Sequence, residues 1–390
     1  MKSFRTVLFW MHLACGAAAA VVILIMCVTG VALTYEKQML EWADRRAWKA
    51  PSSSGARQLS PETLLAKVGA ARPGAAPIGL TLRADSAAPA TVLLDGNRTL
   101  LVDPYTGAII GEPATGLRTF FRLMTTWHRY LALEGASRAT GRALTGAANL
   151  MFLFIVLSGM YLWLPRLWSW IQFKNVLWFR SGLAPKARDF NWHNVIGIWS
   201  AVPLAIVILG AVPISYPWAS NLVYRIVGDT PPSPPATAAP ARAAERRESP
   251  VYVTAGIDAS WSAAQASIPA WRTMTTRFTT SLASPVVVTV DEGYGGQPQL
   301  RTTLTLDRAS GAIARRETFE SLSAGRRLRS WLRFAHTGEI YGLTGQTVAG
   351  LASAGGAVLV YTGIALALRR FVSWLSRRRA DSSLTRPKAA

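Results

Sequence analysis

Charged residues are scarce in this chain. They make up 16% of 390 residues, where an ordinary soluble domain carries about a quarter. The shortage excludes a protein that meets water along its whole length. Acids are scarcer still, 21 against 42 Lys and Arg. Cysteine is almost missing. Cys15 and Cys27 have neither metal nor redox spacing, and both read as small packing residues. No glycine-rich phosphate loop and no flavin or nicotinamide module is present, so any electrons must come from outside the chain. Histidine occurs only four times.

What is there instead is long apolar sequence. Residues 6–35, 143–165, 190–224 and 340–368 contain no Asp, Glu, Lys or Arg. Each run is long enough to cross a bilayer core, which takes about 20 helical residues. Buried helices of a soluble protein rarely run this far without a polar face. Lys2 and Arg5 precede the first run as in a secretory signal, but its apolar stretch is roughly twice the usual 7–15 residues, and it reads as an uncleaved anchor. Short segments before the first run, after the second and after the fourth hold fourteen basic residues against Asp189 and Asp381. The positive-inside rule places all three in the cytoplasm, leaving the two long segments outside. The inner charge is thus a topology signal, not one for nucleic acid. The basic excess outside weakly favours anionic ligands.

Each outer segment reads as a small α+β domain. The first has a helix start at Ser60-Pro61-Glu62, strand-like runs at 79–82 and 91–94, and a hairpin cue at Asp95-Gly96-Asn97. The second has a helical stretch near 260–267 and strands at 285–290 and 300–306, following a Pro/Ala-rich linker. The halves repeat. Asp103, Gly107, Ile109 and Gly159 recur as Asp307, Gly311, Ile313 and Gly363, all offset by 204. His12, Gly16 and Tyr35 recur as His193, Gly197 and Tyr216, offset by 181. Repeats of this kind are common in membrane proteins built around a central site.

The expected fold is therefore a membrane α-helical four-span bundle with two outer α+β domains and an internal two-fold repeat. Its parts are the first span (1–35), outer domain 1 (36–116), an amphipathic helix and second span (117–166), a cytoplasmic loop (167–189), the third span (190–224), the linker (225–250), outer domain 2 (251–320), an amphipathic helix and fourth span (321–370), and a basic cytoplasmic tail (371–390).

All four histidines fall at span ends. His12 and His193 lie at the inner side, and His128 and His336 at the outer. A lone membrane histidine serves helix-to-helix hydrogen bonding as readily as ligation, but four of four at the span ends needs a further reason. Zinc usually takes four protein ligands, or three and water. Only Glu134 and Glu339 stand near to help. A bis-His haem iron needs two, the porphyrin supplying the rest. Two b-type haems stacked across the bilayer fit the count, with His12 and His193 on the inner and His128 and His336 on the outer. Gly16 and Gly30 share a helical face with His12 and would admit a flat ring or a close helix. Arg122, Arg129, Arg329 and Arg333 could pair with outer propionates or face lipid headgroups. Trp10, Trp127, Trp192, Trp199 and Trp331 could line an electron path or form the interfacial belt.

The stretches WMHLACG, WHRYLALEG, NWHNVIGIW and RFAHTGEIYG, with VDPYTGAIIGE and LDRASGAI, resemble the PepSY-associated transmembrane family over nearly the whole chain. That family often shows Leu-His-Arg, whereas here only His128 precedes an arginine. The resemblance implies PepSY folds for two periplasmic domains, haem ligation by the four histidines, a bacterial inner-membrane location, and reduction of periplasmic ferric siderophore. The donor would be a quinol or a cytoplasmic reductase. A non-redox siderophore or small-solute transporter, and a membrane scaffold with protein-binding outer domains, are the competing readings. An absorption spectrum separates them.

Overall fold

A computed structural model describes residues 2–48, 57–74, 76–164, 170–233 and 252–384. In chain order the helices are α1 (Lys2–Leu33), α2 (Glu36–Arg46), α3 (Pro61–Ala71), α4 (Thr115–Tyr130), α5 (Arg138–Trp163), α6 (Trp170–Leu177), α7 (Pro185–Ser215), α8 (Pro217–Ile226), α9 (Ile257–Ser267), α10 (Ala324–His336) and α11 (Gly342–Leu384). The strands are β1 (Pro77–Arg83), β2 (Ala90–Leu94), β3 (Arg98–Val102), β4 (Ile109–Gly111), β5 (Thr273–Arg277), β6 (Val286–Asp291), β7 (Arg301–Leu306) and β8 (Ile313–Glu317). The chain divides into two compact units. One holds residues 1–34, 122–220 and 335–390, and the other residues 35–121 and 221–334.

The first unit is a helical bundle. Four helical stretches, Ser3–Arg46, Gly135–Trp163, Pro185–Ser215 and Glu339–Arg378, are long and apolar enough to cross a membrane. In the bundle α1 packs against α5 and α11, and α7 packs against the same two. Helices α1 and α7 thus occupy opposite corners. Ile23 and Cys27 from α1, Phe152 and Val156 from α5, and Leu204 and Ile208 from α7 fill the middle. Small residues let the backbones close: a Cβ on Gly356 of α11 would lie 2.8 Å from Cys27 Sγ and 3.4 Å from Phe152 Cζ. Helix ends, whose last carbonyls lack intrahelical partners, are met by neighbouring side chains. Arg5 donates to the carbonyls of Leu162 and Leu164, Arg142 to those of Ile214 and Ser215, and Gln346 to that of Thr34. Asp189, buried at the start of α7, binds both Arg188 and Arg369.

The second unit is built on one eight-stranded antiparallel sheet, ordered β4-β3-β2-β1-β5-β6-β7-β8. The sequence divided these strands between two domains. The structure joins them through β1 and β5, which pair from Gly79↔Arg277 to Arg83↔Thr273. Each half would otherwise present a bare strand edge, and the pairing removes both edges. Helices α3 and α9 pack together, and Leu64, Val68, Ile257, Trp261 and Ala264 cover Leu80, Val92, Met274, Val288 and Leu304. They also cap each other. The Glu62 N–H donates to Asp258 Oδ1 at 2.8 Å, and the Asp258 N–H donates to Glu62 Oε1 at 3.1 Å. Strands β5 and β8 escaped the sequence reading because TMTTR and IARRE lack an apolar alternation.

Other boundaries differ from the sequence reading. Helix α6 lies in what reads as a loop, and α7 begins at Pro185, the usual first-turn proline. The apolar run at 190–224 is broken at Tyr216 before Pro217 into α7 and α8. Helix α11 continues to Leu384, through most of the stretch read as a basic tail. Most of the Pro/Ala-rich linker lies outside the described residues.

Candidate functional site

The four histidines all belong to the bundle unit. His12 stands on α1 and His193 on α7, the opposite corners. His128 lies near the end of α4 and His336 ends α10, both amphipathic helices without an acidic residue. Beyond α4 the chain turns sharply, with Leu131 and Ala132 at φ of 53° and 58°. All four imidazoles are half-buried.

Two of the four rings meet. The His128 and His336 ring centroids are 6.2 Å apart with an interplanar angle of 49°. Two imidazoles gripping one metal ion from opposite sides keep their centroids roughly 6–6.5 Å apart, given metal–nitrogen bonds of about 2.0–2.1 Å. Burial, and then His336 beside it, pushes the His128 imidazole down to about 4. It is therefore neutral near pH 7, the form that ligates metals.

The hydrogen bonds decide which nitrogen each ring offers. His12 Nδ1 lies 2.9 Å from Ser158 Oγ, and that hydroxyl donates its own proton to the Ile155 carbonyl. His193 Nδ1 lies 2.9 Å from Thr362 Oγ1, which donates to Val358 O. His128 Nδ1 lies 2.9 Å from Thr29 Oγ1, which donates to Ile25 O. With the hydroxyl proton already spent, the oxygen can only accept, so each Nδ1 carries the hydrogen. His336 Nδ1 lies 2.8 Å from the Val207 carbonyl, which has nothing to donate. All four rings therefore take the same tautomer, with the basic lone pair on Nε2. A fixed tautomer set by a second partner is the usual arrangement around ligating histidines.

Glycines shape the space beside the rings. A Cβ on Gly159 would lie 3.3 Å from His12 Cε1, and one on Gly363 3.4 Å from His193 Cε1. One on Gly30 would lie 3.5 Å from His128 Cε1. At Gly16, one turn from His12, a Cβ would meet nothing within 4 Å, so room exists there for a flat group. Four residues beyond Gly159, the Trp163 indole N–H is buried without a hydrogen-bond partner among the described residues, a donor suited to an acidic ligand group. Among the described residues no three His, Cys, Asp or Glu converge as a metal site. What the geometry provides at His128 and His336 is a two-nitrogen site, which suits a metal whose remaining ligands come from elsewhere.

The arginines divide. Arg122 and Arg129 are exposed in the bundle unit, with the Arg129 guanidinium 5.3 Å from the Tyr130 ring centroid. Arg329 and Arg333 belong to the sheet unit, where they line a pocket. Trp10, Trp127, Trp192 and Trp199 are exposed, as an interfacial belt requires and an internal electron path does not. Cys27 is buried in the bundle core. Sequence reasoning missed Ser158, Thr362, Thr29 and Val207. The recurrence of Gly159 at Gly363 was visible, and the structure shows it marks the seats of His12 and His193.

A family model described as the PepSY-associated TM region matches residues 9–370. No curated protein matches the chain.

Proposed function

The chain belongs to the PepSY-associated TM family, and on that premise we propose that it is a di-haem electron-transfer protein of the bacterial inner membrane that reduces ferric siderophore in the periplasm. The observation that carries this reading is the separation of the His128 and His336 rings, 6.2 Å between centroids, the spacing at which two imidazoles share one iron. The common tautomer at all four rings supports it, because it leaves each Nε2, the nitrogen that would hold the iron, with its lone pair.

On this reading His12 and His193 hold the inner b-type haem, and His128 and His336 the outer one. When bound, haem supplies one-electron transfer. The protein's part is to position and shield. Ser158, Thr362, Thr29 and the Val207 carbonyl fix ring orientation and tautomer. Gly159 and Gly363 seat the inner rings. Trp163 N–H offers a hydrogen bond to an inner propionate, and Arg122 and Arg129 offer charge to outer ones. No side chain is asked for acid–base chemistry.

Both termini face the cytoplasm in this reading, the sheet unit is periplasmic, and the two halves are an internal repeat. A quinol or a cytoplasmic reductase supplies the electrons. Ferric-to-ferrous conversion loosens a hard-oxygen chelate, which frees the metal. The test is reconstitution into vesicles with the sheet unit outward, a reduced quinol in the bilayer, dithionite enclosed as a donor on the inner side, and a ferrous-specific chromophore outside. Ferric chelate should yield ferrous iron only with the protein present. No ferrous iron above protein-free vesicles would return the chain to a transporter or scaffold role.

A further inference from the structure

Helix α10 carries Arg326, Arg327, Arg329 and Arg333 and no acid. Arg326, Arg329, Ser330 and Arg333 join Tyr224 and Leu322 around an open pocket of about 330 Å³ within the sheet unit. Helical spacing explains the convergence, since residues three and four apart stack on one face. The N-terminus of α10 is held in place by Asp229, whose carboxylate accepts from the Gly325 N–H at 2.9 Å. The Ser323 hydroxyl and that N–H hold the Asp229 carboxyl below its usual range, so it stays committed to the helix. Tyr224 packs against the same turn, where a Cβ on Gly325 would run into its ring.

Three of the six residues around the pocket are arginines. Glu317 pairs with Arg326 at 3.2 Å and also with Arg315 at 3.0 Å. Arg333 lies with its guanidinium 5.5 Å from the Phe334 ring centroid, a contact that leaves its fork of N–H donors able to take an oxyanion. With α4 aligned to α10 through His128 and His336, Phe121 and Thr125 fall where α10 has Arg329 and Arg333. Arg118 falls where α10 has Arg326, so it is Arg329 and Arg333 that are particular to one half of the chain.

We propose that this pocket binds a small polyanionic chelate through its carboxylates, with Arg329 and Arg333 as the principal contacts and Arg326, Ser330 and Tyr224 around them. This assigns Arg329 and Arg333 to a ligand from outside in place of the propionate role that their spacing before His336 implies. The identity of the cargo rests on the reductase reading: it narrows the substrate to anionic ferric chelates and disfavours neutral ones. Binding itself does not depend on redox chemistry.

The test uses the full chain in lipid nanodiscs and gallium citrate, a redox-inert stand-in for an anionic ferric chelate, with a neutral gallium trihydroxamate as comparison. Calorimetric titration should show citrate-chelate binding that weakens as salt rises, and much weaker trihydroxamate binding. R329Q/R333Q should lose at least tenfold in affinity, and R329K/R333K should keep most of it, with haem absorbance per polypeptide unchanged in both. Equal binding of the two chelates, or undiminished binding by R329Q/R333Q, overturns the proposal. So does loss of haem absorbance in R329Q/R333Q, which would return the arginines to propionates. A colourless wild type that still binds gallium citrate in this charge-dependent way would sink the reductase reading and leave the pocket standing.

Discussion

His128 and His336 face each other at 6.2 Å between ring centroids, although 208 positions separate them in the chain. One comes from the helix before the second span and the other from the helix before the fourth. Single replacement of either by alanine should remove the same haem, so H128A, H336A and the double variant should have matching absorbance losses of about half. Haem quantification per polypeptide checks this. Additive losses in the double variant would mean that the two rings serve different groups.

The hydroxyl partners give a sharper prediction. Ser158 and Thr362 donate to helix carbonyls and accept from His12 and His193. S158A or T362V leaves a ring N–H unsatisfied and the imidazole free to turn. Loss of such a partner typically costs about 10–100-fold in metal-site affinity or activity. Haem retention on dilution, and the inner midpoint potential, should both shift, while S158T should restore them.

Gly159 and Gly363 test the seats of the rings. The positions where a Cβ would stand lie 3.3 Å and 3.4 Å from the imidazoles, so alanine must push each ring by a few tenths of an ångström and leucine must displace it. G159L and G363L should lose inner haem with the fold intact by circular dichroism, and G159A should lose little. Gly16, with open space beside it, should accept alanine into the slot and lower haem occupancy without moving His12.

In the sheet unit, the reciprocal caps between Glu62 and Asp258 tie α3 to α9. D258A should cost about 1 kcal/mol, as loss of a helix N-cap usually does. M274A, in a fully buried side chain on β5, should cost about 2–5 kcal/mol. Because β5 joins the two halves of the sheet, M274A should loosen both halves together, read as hydrogen exchange at β2 as well as β6. Protection lost in β6 alone would show that the halves are stable independently.

Much of the bundle was legible because apolar length is a strong signal, and the histidines stood out because there are so few. What was not legible has physical reasons. Ser158 and Thr362 are ordinary mid-helix hydroxyl residues, and only the packed structure shows that a ring nitrogen lies opposite. The joining of β1 to β5 pairs strands nearly 200 positions apart, through segments whose side chains alternate weakly. The helical run of α11 past Leu368 carries Arg369, Arg370, Arg377 and Arg378, which reads as a tail when only hydropathy is followed.

The most direct measurement is the absorption spectrum of the purified full chain, with haem counted per polypeptide. The account predicts a red protein with a sharp Soret band that moves on dithionite reduction, two haems per chain, and the loss of one whenever either member of a histidine pair is removed. A folded, colourless preparation that stays colourless when haem is added would contradict it.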